Sequence, residues 1–569
     1  MKRMNTYRRW VSAASLSLLG GCNFAPHYDP PKTDSTPVFK EAVPGGDAAQ
    51  GWKIAEPRDA SIRNNWWEVY GDPQLNDLEA RVAISNQTIV AAEASYRAAH
   101  ALVLEAQAQL FPTLSVAPGV TREKSSAALV GLGGGATGTT IGGATTTVPT
   151  AGAAASTPQS ISASTHNIFT FPLEASYQID LWGSIRNTVA ENRYAAQASA
   201  AQLANALLST QTTLAQDYFQ LRVADEQRRI LDVTVADFQA SLRLVRTLLD
   251  SGVDSEADVA SAETQLESAM AQATDAGVAR AEFEHAIAVL IGVPPAQFSI
   301  PYKRLNQQLP PIPVGVPSDL LERRPDIAAA ERQVAETNAQ IGVARAAFFP
   351  SLTLSASGGY ESTALSGLFS APNLFWSAGP SLAEYIFDGG ARRAALAQAR
   401  ALNDNQVATY RQTVLSAFQS VEDNLAALRI LSTEVGQAHK ATVSAQRAVE
   451  LTVVLFRNGV DSYVNVIVAQ DAFLTARETE LGILLRQFTA SVSLINALGG
   501  GWATSQLDQT ERLAMHPVDA GKAPVLPAEN AGPAVPNPPP MPPGEIQPDD
   551  IIKQNDADIG VAPADRSPK

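Results

Sequence analysis

Cysteine is nearly absent from this chain of 569 residues, which has one, at position 22. A lone thiol excludes an intrachain disulfide and a cysteine-based metal site. Histidine is sparse as well: His27, His100, His166, His285, His439 and His516 are scattered, with no pair at metal-ligand spacing. No uncharged apolar run reaches about 18 residues, so no transmembrane helix is expected, and any passage through a bilayer has to be made by a β-barrel. Positive charge is in the minority, with 42 Lys and Arg against 57 Asp and Glu, a formal net charge of −15. The clustered cations that nucleic acid demands are missing, and no nucleic-acid partner is assigned. Phosphate loops, dinucleotide fingerprints and nucleophile elbows are missing too. No carboxylate pair is marked as catalytic, so the sequence offers no catalytic residue, no metal and no soluble cofactor.

What is present begins at the N-terminus. Lys2, Arg3, Arg8 and Arg9 precede a short apolar run from Trp10 to Leu19, followed by Gly20-Gly21-Cys22. A charged start, an apolar middle and small residues at the end make a signal peptide, expected over 1–21. Leu19-Gly20-Gly21-Cys22 resembles the bacterial lipoprotein cleavage box, in which the Cys becomes the acylated N-terminus. Asn23, rather than Asp, follows it, as in lipoproteins sent to the outer membrane. The alternative is an ordinary signal peptide with a chance Cys. Residues 22–60, rich in Pro and polar side chains, read as an acylated tether, and 503–569 as a disordered, acidic, Pro-rich tail.

The part between is a repeat of itself. Phe111-Pro112-Thr113-Leu114 returns as Phe349-Pro350-Ser351-Leu352, and Asp180-Leu181-Trp182-Gly183 as Ile386-Phe387-Asp388-Gly389. Gly252-Val253-Asp254-Ser255 returns as Gly459-Val460-Asp461-Ser462, and Leu290-Ile291-Gly292 as Ala497-Leu498-Gly499. The repeats are predicted over 61–300 and 301–502. The first carries an extra Gly/Ala/Thr/Ser stretch, 123–167, without periodicity and expected as a long surface loop.

Each repeat predicts two strands and two long helices. The strands are expected at about 113–122 and 168–181, then 351–360 and 374–387. Phe169, Phe171, Leu173, Ala175, Tyr177 and Ile179 alternate with Thr170, Pro172, Glu174, Ser176, Gln178 and Asp180. A period of two gives one apolar and one wet face, as a membrane barrel or a half-buried soluble sheet requires. The helices are expected at about 184–249 and 255–291, then 391–456 and 462–498. Leu203, Leu207, Thr210, Leu214, Asp217 and Leu221 step by 3 and 4 in turn, as do Val407, Tyr410, Val414, Ala417 and Val421. That mean period of 3.5 predicts a left-handed coiled coil. At ~1.5 Å per residue, a helix of roughly 65 residues runs about 100 Å and belongs to a tube or stalk.

Together these segments resemble the outer-membrane factor family, the TolC-like and OprM-like exit ducts, closest to its NodT-type lipoprotein branch. The most specific stretch is Leu320-Leu321-Glu322-Arg323-Arg324-Pro325-Asp326-Ile327, continuing to Phe349-Pro350-Ser351-Leu352. Trp66-Trp67, Gly71-Asp72-Pro73-Gln74-Leu75, Asp180-Leu181-Trp182-Gly183 and Phe387-Asp388-Gly389-Gly390 support it. The resemblance implies an α+β membrane channel: four strands per chain in a trimeric twelve-stranded barrel, above a periplasmic tunnel of coiled-coil hairpins. It implies a passive exit duct in the outer membrane, working with a periplasmic adaptor and an inner-membrane pump, RND-type or other. The implied cofactor set is empty apart from lipid on Cys22.

By position the adaptor-contact tips are Gly252, Val253, Asp254 and Ser255, with Gly459, Val460, Asp461 and Ser462. Family members often carry Asp six and nine residues after the second-tip Gly, where this chain has Asn465 and Val468. The aperture candidates are therefore Asp461, Asn465, Asp254 and Asp258, with helix capping as the alternative role for Ser255, Ser462 and Asp461. Two rival readings share the anchor: a periplasmic adaptor, which has a single hairpin and a lipoyl-like β-domain, and a structural envelope lipoprotein, which has no barrel strands.

Overall fold

The structure, a computed structural model, describes residues 23–33, 39–41, 65–124, 165–305, 309–310, 312 and 320–502. Cys22, the signal peptide, most of the 123–167 insertion and the 503–569 tail lie outside the described residues.

The duplication is visible in element lengths. α1 (Pro73–Ser85) is followed by α2 (Gln87–Ala108), whose 22 residues match the 22 of α6 (Pro325–Ala346). The long helices α3 (Ser184–Asp250) and α7 (Ala391–Arg457) have 67 residues each. Their partners α4 (Glu256–Leu290) and α8 (Tyr463–Ala497) have 35 each. A four-residue helix, α5 (Leu320–Arg323), precedes α6. Because α4 and α8 are half as long as α3 and α7, they return only to mid-length. The upper halves are covered instead by α2 and α6, with α6 packed against both α3 and α7.

The seams expected from the sequence are where the helices meet: Leu214, Leu221, Leu231 and Phe238 on α3, and Tyr410, Val414, Ala417 and Val421 on α7, are all buried. At mid-length the seams open into an aromatic core. Phe219 stacks on Phe488 at 4.6 Å, Tyr70 lies 5.0 Å from Phe219, and the Tyr70 hydroxyl meets Ser491 Oγ at 2.7 Å.

Two glycines explain one of the sequence echoes. Gly292 and Gly499 end the return helices with φ of 70° and 91°, in the left-handed region that favours glycine. A Cβ on Gly292 would lie 2.3 Å from the Ser85 carbonyl oxygen, and one on Gly499 2.1 Å from that of Arg323. Each repeat closes by seating this glycine on the backbone just ahead of α2 or α6.

The sheet contains β1 (Thr113–Val116) and β2 (Gly119–Lys124) in line along one side of β3 (Thr165–Ile179). β3 then pairs with β4 (Ser351–Ser362), and β4 with β5 (Leu374–Ala383), all antiparallel. Directly opposed residues share a face. One row reads Leu114, Ala175, Ala356 and Ala378; others read Phe171, Tyr360 and Leu374, and Ile179, Leu352 and Leu382. The opposite face reads Ser115, Glu174, Ser357 and Ser377, and Gln178, Thr353 and Ser381. The apolar stretch of β3, 169–179, has the length a tilted strand needs to cross a bilayer, about 9–11 residues.

Several boundaries differ from expectation. The first strand breaks at Ala117-Pro118, where Pro118 supplies no N–H, and it continues to Lys124; β3 starts at Thr165. The surface loop is correspondingly shorter than 123–167. The last strand ends at Ala383 instead of 387, because Tyr385, Ile386 and Phe387 lie past the end of β4's ladder.

The larger correction concerns the tether. Its described residues are seated on the helices. Phe24 stacks on Phe349 at 4.4 Å, Asn338 Nδ2 donates to the Pro26 carbonyl at 3.0 Å, and the Tyr28 hydroxyl donates to Glu331. Farther along, the backbone N–H groups of Lys40 and Glu41 bond the Glu422 carboxylate at 2.7 and 2.9 Å, and Phe39 is buried in the mid-length core. Composition showed the prolines, but it could not show that α6 and α7 leave a groove for them.

Candidate functional site: the twin hairpin tips

Both long helices end in the same hydrogen-bonded stop. At the first tip, Gly252 N–H bonds the Leu249 carbonyl at 2.8 Å and Val253 N–H the Leu248 carbonyl at 2.9 Å. At the second, Gly459 N–H bonds Phe456 O at 2.9 Å and Val460 N–H bonds Leu455 O at 3.0 Å. This is the Schellman arrangement, which needs a left-handed residue at the glycine; φ is 76° at Gly252 and 67° at Gly459. The valine that follows each glycine stands out in solvent, Val253 at 70% and Val460 at 73% exposure.

After the stop the tips diverge. Ser255 caps α4: its Oγ accepts from Asp258 N–H at 3.3 Å and donates to Asp258 Oδ2 at 2.6 Å. Ser462 occupies the matching N-cap of α8 but makes no side-chain cap bond, so the capping role expected for it is not found. Asp461 lies one residue ahead of the N-cap: its Oδ1 accepts from Ser462 N–H at 2.9 Å and from the Asn465 side-chain amide. Asn465 thus holds the carboxylate one turn away, in a position where a second carboxylate would repel it.

The two tips touch through a residue that neither the repeat markers nor the seam includes. Tyr463, first residue of α8, is 3% exposed and lies 5.4 Å from Phe456. It belongs to a cluster with Phe238, Leu242, Val245, Ala262 and Leu266 of the first hairpin. Burial, then the charges of Asp254 and Asp258, push its hydroxyl up to about 12. Those carboxylates of the first tip therefore lie beside the start of the second hairpin. Asp254 is itself raised, first by burial and then by Asp258, and its Oδ2 has no hydrogen-bond partner. The available signal was the broken repeat: Tyr463 stands where the first repeat has Glu256.

Farther from the tips, polar side chains tie the hairpins together. Gln470 Nε2 donates to Ser241 Oγ at 3.2 Å, and Gln265 donates to Asp471, whose carboxyl burial raises. Arg228, one of the polar seam positions, donates to Asp232 at 2.9 Å and to the Ala273 carbonyl at 2.5 Å, joining α3 to α4. A cleft between α3, α7 and α8 opens beside these ties, with Arg229, Asp237, Glu450 and Arg477 on its walls.

At the other end of the long helices, each strand-to-helix junction is locked by an Asp–Arg pair. Asp180 accepts from Ile185 and Arg186 N–H and pairs with the Arg186 guanidinium at 3.0 Å. Asp388 accepts from Gly390 and Arg392 N–H and pairs with Arg392 at 2.6 Å. Trp182 Nε1 donates to Pro350 O at 2.8 Å, and its ring stacks on Phe349, 4.9 Å away. Among the described residues no group of His, Cys, Asp or Glu is placed to hold a metal ion, and no helix is long and apolar enough to cross a membrane.

Comparison with known proteins gives a consistent result. The outer membrane efflux protein family model matches residues 80–293 and 316–500. The toluene efflux pump outer membrane protein TtgF of Pseudomonas putida is 30% identical over 503 residues, covering 87% of this chain and 97% of its own. The pyoverdine export outer membrane protein OpmQ of Pseudomonas aeruginosa is 29% identical over 497 residues, covering 87% and 98%. The CmeC outer membrane channel of Campylobacter jejuni superposes with a TM-score of 0.76 at 23% identity, covering 87% of this chain and 98% of that one. Two repeats of strand pair and helical hairpin, matched along most of their length, place the chain in the outer membrane efflux protein family.

Proposed function

We propose that this chain is one of three subunits of a passive exit duct in the outer membrane, anchored by lipid on Cys22 and fed from the periplasm by an adaptor and an inner-membrane pump. One observation carries the reading: a two-faced sheet, apolar outside and polar inside, whose outer edges (β1/β2 and β5) have no strand partner among the described residues. In lipid each unpaired backbone group on such an edge costs several kcal/mol, so four strands demand company. Twelve strands close a barrel wide enough to hold water, while even the smallest membrane barrels use about eight.

The tips supply the other end of the duct. Val253 and Val460 offer apolar contact to an adaptor, and the cleft between the hairpins gives room for a partner helix. Asp461, Asp254 and Asp258 set three copies each of a carboxylate around the aperture, with Asn465 holding Asp461 in place. In sequence Cys22 precedes by two residues Phe24, which stacks on Phe349 at the base of the sheet, and lipid at that position suits an anchor at the membrane surface.

The test is single-channel recording of the purified mature protein in a planar bilayer, with mass measured alongside. A trimer with small, brief, cation-leaning openings is expected. A monomer that never conducts would overturn the reading and bring the adaptor or structural-lipoprotein alternative forward.

A further inference from the structure

The two repeats are related closely enough to fix a strand register that one chain cannot display. Equivalent first-strand segments are shifted by 238 residues, as α2 to α6 (87 to 325), and equivalent second-strand segments by 207, as α3 to α7 (184 to 391). Applied to the first hairpin, these shifts turn Thr113–Ser176 into Ser351–Ala383 and Gly119–Thr170 into Ser357–Ser377. Both are the pairs found between β4 and β5. The duplication therefore conserves register to the residue.

The remaining ladder within the chain, β3 to β4, joins the second strand of one repeat to the first strand of the other. Its repeat-equivalent joins β5 to β1 and β2, and within a single chain those strands lie at opposite ends of the sheet. We propose that β5 of one subunit pairs with β1 and β2 of the next in the register obtained by the same shifts, an inference that rests on the barrel reading above. Ile179–Leu352 becomes Ile386 beside Leu114, Tyr177–Leu354 becomes Glu384 beside Val116, and Leu173–Gly358 becomes Pro380 beside Val120.

Three observations agree with this register. It continues the seam beyond Ala383 through 384–386, covering Ile386 and Leu114, which are 99% and 69% exposed in one subunit. On the face that carries Phe171 and Leu382 it sets Leu114 beside Ile386 and Val120 beside Pro380, with Glu384, beside Val116, the one charged residue between them. It also matches backbone direction. The Ala117 N–H reaches the Pro172 carbonyl at 3.4 Å, so the even-numbered residues of β1 and β2 face the open edge. The same alternation, carried across β3 and β4, turns the even-numbered residues of β5 outward, and the register pairs even with even. Pro118 and Pro380 are among these edge-facing positions, so the seam forms with two fewer donors. Before assembly they also make the edges poor templates for other chains.

Disulfide trapping tests the register. Ala383 and Ala117 of the partner subunit become a non-hydrogen-bonded pair, with Cα atoms ~4.5 Å apart and within disulfide reach. Shifting either by two residues opens the gap to about 7–8 Å, beyond easy bridging. Oxidised A117C/A383C is expected to run as a ladder up to a covalent trimer, at least tenfold more than A117C/S381C or A117C/Y385C. T121C/G379C serves as a second in-register pair should the first fold poorly, and single-cysteine variants control for Cys22. A shifted pair linking better than both in-register pairs, in a protein that is trimeric by mass, overturns the register and leaves the barrel standing. A trimer in which no pair links overturns the seam in the same way, whereas a monomer by mass overturns the barrel reading and the seam with it.

Discussion

Replacing Asp225 with Ala should be the most damaging single change in the helical part, because this one carboxylate serves two buried guanidiniums. Its Oδ2 accepts from Arg222 at 2.8 Å and its Oδ1 from Arg280 at 2.8 Å; Arg222, Asp225 and Arg280 are 1%, 5% and 9% exposed. Arg222 also donates to the Pro301 carbonyl and Gln74 at 2.9 and 2.6 Å, and Arg280 to the Ile300 carbonyl. The cluster thus pins the 300–303 connector against α1, α3 and α4. Removing the acid leaves Arg222 buried without a counter-charge and Arg280 with Glu284 alone, at 3.1 Å, and breaking such a buried pair costs about 3–5 kcal/mol. At ~1.4 kcal/mol per factor of ten, that amounts to roughly two to four powers of ten in local opening. Hydrogen exchange at the Ile300 amide, which donates to Glu284 rather than to Asp225, reads that opening directly. An R222M/D225L/R280M triple variant should recover much of the loss, since apolar replacement of a whole buried ion cluster is often neutral. It should still fall short of the parent, because the Ile300 and Pro301 carbonyls lose their donors. Exchange in D225A within tenfold of the parent would refute the reasoning and mean that the guanidiniums are hydrated.

Two further tests address the tips. Ser255→Ala should cost about 0.5–2 kcal/mol, the usual loss of an N-cap bond, while Ser462→Ala should cost a few tenths at most, since its side chain makes no cap bond; denaturant titration of the two variants side by side compares them. Asp254 has a raised pKa, so the folded tip binds its proton more tightly than the unfolded chain does. Its charge therefore destabilises the tip at pH above the folded pKa, and the penalty is relieved as pH falls through that value. Asp254→Asn should make tip proteolysis at pH 8 as slow as that of the parent at pH 4 and remove the pH dependence; a variant that keeps the parent's pH profile would exclude Asp254 as the group responsible.

The repeat made much of this architecture legible from sequence. Helix ends were placed within a residue because Gly252 and Gly459 are the kind of residue the chain stop requires. The 3.5-residue seam likewise names Leu214, Leu221, Val414 and Val421, all of which are buried. The strand at 374–387 was overrun because apolar Tyr385, Ile386 and Phe387 resemble a strand, and only the length of β4 shows where the ladder stops. Tyr463 was missed because its partners lie more than 200 positions upstream, at Phe238 and Val245, and heptad counting within one helix carries no information about them. Capping by Ser462 rests on residue type alone, and its side chain makes no cap bond.

The seated strap has a mechanical consequence. It binds α7 along its upper part: Thr33 bonds the Tyr410 hydroxyl, the Lys40 and Glu41 N–H groups bond Glu422, and Glu41 pairs with Arg429 at 2.6 Å. Below Arg429 the helix continues to Arg457, a span of about 40 Å at ~1.5 Å per residue. With the lipid proposed on Cys22, such a strap would work as a stay on a mast, tied to the membrane at one end and to α7 at the other. It restrains the upper helix, whereas the lower length is held instead to α8, through Thr442 to the Ala476 carbonyl and Glu434 to Arg486.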